Sequence, residues 1–141
     1  MKERTGGLGQ RALRVFVFDC EALSLAVRGD RSIIALLDLA ARGEADVVTS
    51  PLTLVEAYDG RTTERRWDWV LSRLQVAEIG REEAREARRL LAETGLHGHK
   101  YAIDAVLAMV ARRQRGQVTV FTSDVDDLEK LVPRSVVVRE V

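Results

Sequence analysis

Short, wholly apolar runs alternate along this chain with longer segments whose apolar residues recur every three or four positions. Strands taking turns with helices produce such a pattern. Val15-Phe16-Val17-Phe18 is apolar throughout, β-branched and aromatic, as a strand buried on both faces of a helix-covered sheet would be. The run stops at Asp19. Between Asp30 and the Arg42-Gly43 stop, Ile33, Ile34, Leu36, Leu37 and Leu39 fall at helical spacing, and Val47-Val48-Thr49 then predicts a second strand. Ser50 suits an N-cap and Pro51 the first helical position, so residues 52–58 are expected to be helical until Asp59-Gly60. A helix is predicted over 63–74 and a short strand over 74–79. A helix of good formers follows over 81–93, broken by Gly95 and Gly98, with His97 and His99 in a loop.

Over 101–115, Ile103, Val106, Leu107 and Val110 have the spacing of a core-facing helix, which Gly116 ends. Val118-Thr119-Val120-Phe121 reads as a buried strand. Thr122-Ser123-Asp124 leads into a short helix through Leu131, and 136–138 fits a final edge strand. The alternation predicts an α/β fold, a three-layer α/β/α domain with a parallel or mostly parallel central sheet. No repeat, linker or low-complexity tract divides it.

Composition narrows the function classes. At 141 residues the chain suits one domain, with residues 1–12 read as a leader and 13–141 as the folded unit. The 22 Lys+Arg balance the 22 Asp+Glu, so bulk charge points to neither a nucleic-acid nor a membrane partner. No stretch approaches the ~20 apolar residues of a membrane span. Cys20, the single cysteine, closes no intrachain disulfide. A cytoplasmic protein is expected.

The chemistry lies in the acids. Ligands of such sheets bind beyond the carboxyl ends of the strands. Asp19 directly follows the first strand, and Asp124 follows the strand at 118–121 after two residues. Asp104 opens a helix of roughly 14 residues, about 21 Å long, and the next strand of about five residues returns roughly 16 Å. Asp104 is therefore expected at the same edge as Asp124. Glu56, in the second turn of the helix after the 47–49 strand, is within reach of it too. Two carboxylates ~5 Å apart repel by about 3 kcal/mol at an effective dielectric near 20. Either some are protonated at neutral pH or a cation binds. An all-oxygen set without clustered His or Cys favours Mg²⁺ or Mn²⁺, whose chemistry is phosphoryl-ester hydrolysis. Structural roles stay open for each: Asp19 as an N-cap, Glu56 on a solvated face, Asp104 complementing a helix dipole, and Ser123-Asp124 as a cap with Asp127 three residues on.

The order of four motifs can now be compared with known families: Val17-Phe18-Asp19, Leu54-Val55-Glu56, Ala102-Ile103-Asp104-Ala105, and Thr122-Ser123-Asp124 with Asp127-Leu128. Over residues 13 to about 132 the chain resembles a PIN domain of the VapC type, the toxin half of VapBC toxin-antitoxin modules. The resemblance implies a Mg²⁺- or Mn²⁺-dependent ribonuclease acting on single-stranded or tRNA-like RNA. By matching position it implies Asp19, Asp104 and Asp124 as metal ligands, Glu56 assisting metal or water, and Thr122 or Ser123 orienting water or phosphate. For Asp127 it leaves a structural role at least as open as a catalytic one. It further implies a homodimer and a cognate VapB-like antitoxin whose basic side chain enters the acidic site.

Cationic contacts for RNA are expected from Arg61 and Arg65, near the acidic edge, rather than from Arg112, Arg113 and Arg115 at the far end. Trp67 and Trp69 offer stacking surfaces, one of them expected in the core or a dimer contact. Two imidazoles, His97 and His99, are too few for a closed zinc site. The rival readings are a non-catalytic PIN-like interaction module and a haloacid-dehalogenase-like phosphatase. For the latter, Phe18-Asp19-Cys20-Glu21 lacks the second Asp and leaves Glu56 and Asp104 without a role.

Overall fold

The apolar run at 15–18 forms the middle of a five-stranded sheet. In this computed structural model, which describes residues 13–141, the strands are β1 (Arg14–Phe18), β2 (Asp46–Thr49), β3 (Gln75–Val76), β4 (Gln117–Thr122) and β5 (Val137–Glu140). The leader expected over residues 1–12 lies outside the described residues. All four strand pairings are parallel, in the order β3-β2-β1-β4-β5. The period-2 alternation of β1 sends Val15 and Val17 into one core and Phe16 and Phe18 into the other.

Among the described residues, seven helices cover the two faces: α1 (Cys20–Arg28), α2 (Arg31–Ala41), α3 (Pro51–Glu56), α4 (Glu64–Leu71), α5 (Arg81–Thr94), α6 (Gly98–Arg113) and α7 (Val125–Leu131). α1, α2 and α4 pack on the Phe16 and Phe18 face, α5, α6 and α7 on the other. Trp67 falls in the first of these cores, as one of the two tryptophans was expected to, whereas Trp69 is partly exposed with the Arg73 guanidinium 4.3 Å from its ring centre.

The N-cap role left open for Asp19 is met by a full helix, α1, over residues 20–28, which Gly29 closes in the left-handed region at φ 86°. Three local expectations need correction. α3 ends at Glu56 with Ala57 as C-cap, two residues short of the predicted Tyr58. The strand expected over 74–79 contracts to Gln75–Val76, both exposed at the sheet edge. The His97–His99 loop does not exist as a loop: His97 is the N-cap residue of α6 and Gly98 opens it, placing His99 and Lys100 in its first turn. α6 is also more than an amphipathic stripe. Residues 105–111 are all buried, because α5 lies over its outer side and Arg113 is held by Glu83 and Glu86 at 2.8 and 2.7 Å. Gly116, at φ 101°, lies so close to the Leu13 carbonyl that any side chain would collide with it. Among the described residues no helix is long and apolar enough to cross a membrane.

From β1 the chain builds outward to β2 and β3, then crosses back to β4 on the other side of β1. The switch point between β1 and β4 opens a crevice at their carboxyl ends, and the acids gather there.

Candidate active site

Asp19 is fixed by the two strands at the switch point. Its backbone N–H donates to the Phe121 carbonyl at 3.1 Å. Oδ1 accepts the Ala22 N–H at 2.9 Å and Oδ2 accepts the Ser123 N–H at 3.0 Å. The capping role left open for it is therefore real, and it coexists with a place in the site. Only 6% of the residue is exposed, so the carboxylate is rigid and faces a restricted space. Thr122 is fully buried and its Oγ accepts the Asp124 N–H at 2.9 Å, so this hydroxyl sets the backbone turn that aims Asp124.

All four predicted acids, Asp19, Glu56, Asp104 and Asp124, line a single cavity of about 250 Å³ together with Asp127, Ser123 and Cys20. Each reaches it by a different route: the end of β1, the last residue of α3, the second turn of α6 and the turn after β4. One oxygen from each of Asp104, Asp124 and Asp127 lies within 4.8 Å of the others. Three carboxylate oxygens gathered this closely make a donor set of the kind a hard divalent cation takes.

The electrostatics carry the mark of this crowding. Burial first, then the charges of Asp124, Asp127, Glu56 and Asp19, pushes the Asp104 carboxyl up to about 6. Burial, then its hydrogen bond with Asp127, raises Asp124 as well. The Cys20 thiol is pushed up to about 12 by burial, with the adjacent Glu56 carboxylate adding to the effect. A thiol so reluctant to ionise is no nucleophile. An all-oxygen set that holds protons through burial and through the crowding of its negative charges fits a hard divalent cation.

The expected cations sit elsewhere. Arg61 forks onto Asp59, with Nη2 to Oδ2 at 2.7 Å, and holds that carboxyl down to about 2. Neither Arg61 nor Arg65 lines the cavity. Ser123 does line it, and Thr122 does not. Sequence reasoning left the role of one site residue, Asp127, open and missed another, Lys100. Asp127 lies three residues after Asp124 on α7, a spacing that puts both on one helix face. Lys100 lies four residues before Asp104 on α6 and lines the cavity too. It was overlooked because the helix was expected to start at residue 101, three residues after Gly98.

A parallel sheet between two helical layers, with carboxylates from four segments meeting at its switch point, defines an α/β/α domain built around an acidic, cation-seeking crevice. The chain belongs to the PIN domain family, whose sequence profile matches residues 16–131. It is similar in fold to a chain of the crystal structure of VapBC2 from Rickettsia felis bound to a DNA fragment from their promoter, with a TM-score of 0.63 and 14% identity, covering 90% of this chain and 98% of that one. No curated protein matches the chain.

Proposed function

We propose that this PIN-domain protein is a Mg²⁺- or Mn²⁺-dependent endoribonuclease of the VapC type, a cytoplasmic toxin restrained by a cognate VapB-like antitoxin. The observation that carries the reading is the convergence of five carboxylates on one cavity, three with oxygens within 4.8 Å of one another. Asp104, Asp124 and Asp127 would hold the ion, with Asp19 facing them from β1. When bound, the ion supplies positive charge for the phosphate oxygens and makes a nearby water easier to deprotonate.

The chain's own groups do the rest. Asp19, held by two backbone N–H groups, keeps one wall of the cavity fixed and adds no reorganisation during the reaction. Glu56, exposed at the mouth, accepts the proton of the attacking water as its oxygen bonds to phosphorus. The ester P–O bond opposite breaks, and the leaving oxygen takes a proton from solvent. Ser123 orients water or phosphate with its hydroxyl. Thr122 acts through the Asp124 turn. Arg61 and Arg65 contact RNA beyond the cavity.

The regulatory half rests on the family resemblance and on charge. A cavity this negative attracts a basic side chain, and an antitoxin that inserts one would compete with the ion. A homodimer is proposed as well; Leu52, Val55 and Tyr58, exposed apolar side chains on and just after α3, offer it a surface beside Glu56. The test is cleavage of RNA by the purified full chain. Activity should require Mg²⁺ or Mn²⁺, vanish with EDTA, and be lost in folded Asp104→Asn and Asp19→Asn variants. Cleavage that persists in both variants would overturn the assignment, and a well-folded chain that binds no divalent ion would favour the non-catalytic interaction module.

A further inference from the structure

Lys100 is the single cationic side chain among the described residues that line the acidic cavity. It lies in the first turn of α6, one helical turn before Asp104 and on the same side of the helix. Five carboxylates share its cavity, yet its ammonium forms no ion pair among the described residues and lies over the Tyr101 ring, 5.2 Å from Nζ to the ring centre. The nearby Lys130 behaves differently, being paired with Asp127 at 3.6 Å and lying outside the cavity lining. Lys100 is exposed, so its charge stays hydrated and mobile on a flexible stem.

The charge balance gives this free ammonium a task. One dication leaves the five carboxylates in excess, so the mouth of the cavity stays negative, and every phosphodiester that enters brings another negative charge. A cation at the rim, not already neutralised by a carboxylate, is what such a substrate requires. We propose that Lys100 is the phosphate clamp of this site, its ammonium taking a non-bridging oxygen of an RNA phosphodiester at the cavity mouth. This rests on the nuclease reading above and adds a substrate-binding residue to it. Lysine suits the task as a point charge that follows a moving phosphate, where an arginine fork would fix one geometry.

The test compares the full-length wild type with Lys100→Gln, Lys100→Arg and Lys130→Gln. Binding of fluorescein-labelled bulk tRNA is followed by anisotropy in Ca²⁺ over a range of salt, with Mn²⁺ binding measured separately without RNA. Lys100→Gln should weaken RNA binding about tenfold and reduce the slope of log affinity against log salt by about 0.7 to 0.9. Lys100→Arg should recover most of the loss, and Mn²⁺ should bind Lys100→Gln at least as tightly as wild type, since a repelling charge has gone. Equal losses in Lys100→Gln and Lys130→Gln would mean a general field effect and overturn the clamp. An unchanged salt slope, or weakened Mn²⁺ binding in Lys100→Gln, would overturn it too. If wild type cleaves RNA while Lys100→Gln binds and cleaves as well, the clamp alone fails; if wild type neither binds nor cleaves RNA, the nuclease reading fails with it.

Discussion

Replacing Asp104 by Asn should stabilise the metal-free protein at neutral pH, although it removes a group central to the proposed activity. The Asp104 carboxyl is pushed from an ordinary 3.8 to about 6 by burial and four neighbouring carboxylates. Below pH ~4 it is protonated in both the folded and the unfolded chain and has no linkage effect. As pH rises from there, the unfolded chain releases the proton while the folded one keeps it. The folded state binds more protons, so stability falls with pH, and the full penalty is present above about 6. A shift of about two units corresponds to roughly 3 kcal/mol. Because the group is only half-buried, screening brings this to about 1 to 2 kcal/mol, or roughly 3 to 8 °C in Tm for a domain of this size. Thermal unfolding in EDTA, at several values between about pH 4 and pH 8, measures it. The Asn variant should match wild type at the acidic end and exceed it at the neutral end. Added Mn²⁺ should close the gap by stabilising wild type alone. A variant less stable than wild type at neutral pH, or a difference that ignores pH, would refute the claim that burying the Asp104 carboxylate among like charges strains this cavity.

Asp19→Ala should behave in the opposite way: it leaves the Ala22 and Ser123 N–H groups without their acceptor, lowering stability by roughly 2 to 4 kcal/mol by chemical denaturation. Its loss of activity would be uninformative without that measurement, and a stability equal to wild type would show that Asp19 is not the tie between β1 and β4. Cys20, with a thiol pushed up to about 12, should resist iodoacetamide at neutral pH, and Cys20→Ala should retain RNA cleavage; rapid alkylation of the folded protein would contradict the burial argument. Trp67→Ala should lower stability by about 3 kcal/mol or more, whereas Trp69→Ala, at the surface beside Arg73, should change it by under about 1 kcal/mol. Similar losses in the two variants would count against the packing of α4.

Some of this could be read from the sequence because the signal was local, and some could not because it was not. β1 and β4 announce themselves: a strand buried on both faces has no polar residue to spare, and Val15–Phe18 has that composition, while Val118–Phe121 is apolar and β-branched or aromatic apart from the half-buried Thr119. Their parallel pairing places Asp19 and Asp124 at one edge without further information, and helix length then returns Asp104 to it. The failures concern positions where local rules gave the wrong boundary. Gly98 read as a helix breaker, yet it is tolerated as the first residue of α6, where the cost of glycine is lowest and the buried stretch 105–111 holds the helix from below. That one misplaced boundary put Lys100 in a loop and hid its i, i+4 relation to Asp104. Asp127 was visible but its role stayed open. An acid in the first turn of a short helix has an adequate explanation in the helix dipole, and only the approach of α6 to α7 makes it a third oxygen donor. The same carboxylate can satisfy a local rule and a tertiary one, as Asp19 does when it caps α1 while walling the cavity. A cap alone gives no reason for a half-buried Asp104 to hold its proton up to about 6. Burial in the cavity first, and then the crowding of charges from elements far apart in the chain, supply that reason, so the separation of function from scaffolding at this site has to be sought in proton affinity, where the two roles differ, and not in side-chain position, where they coincide.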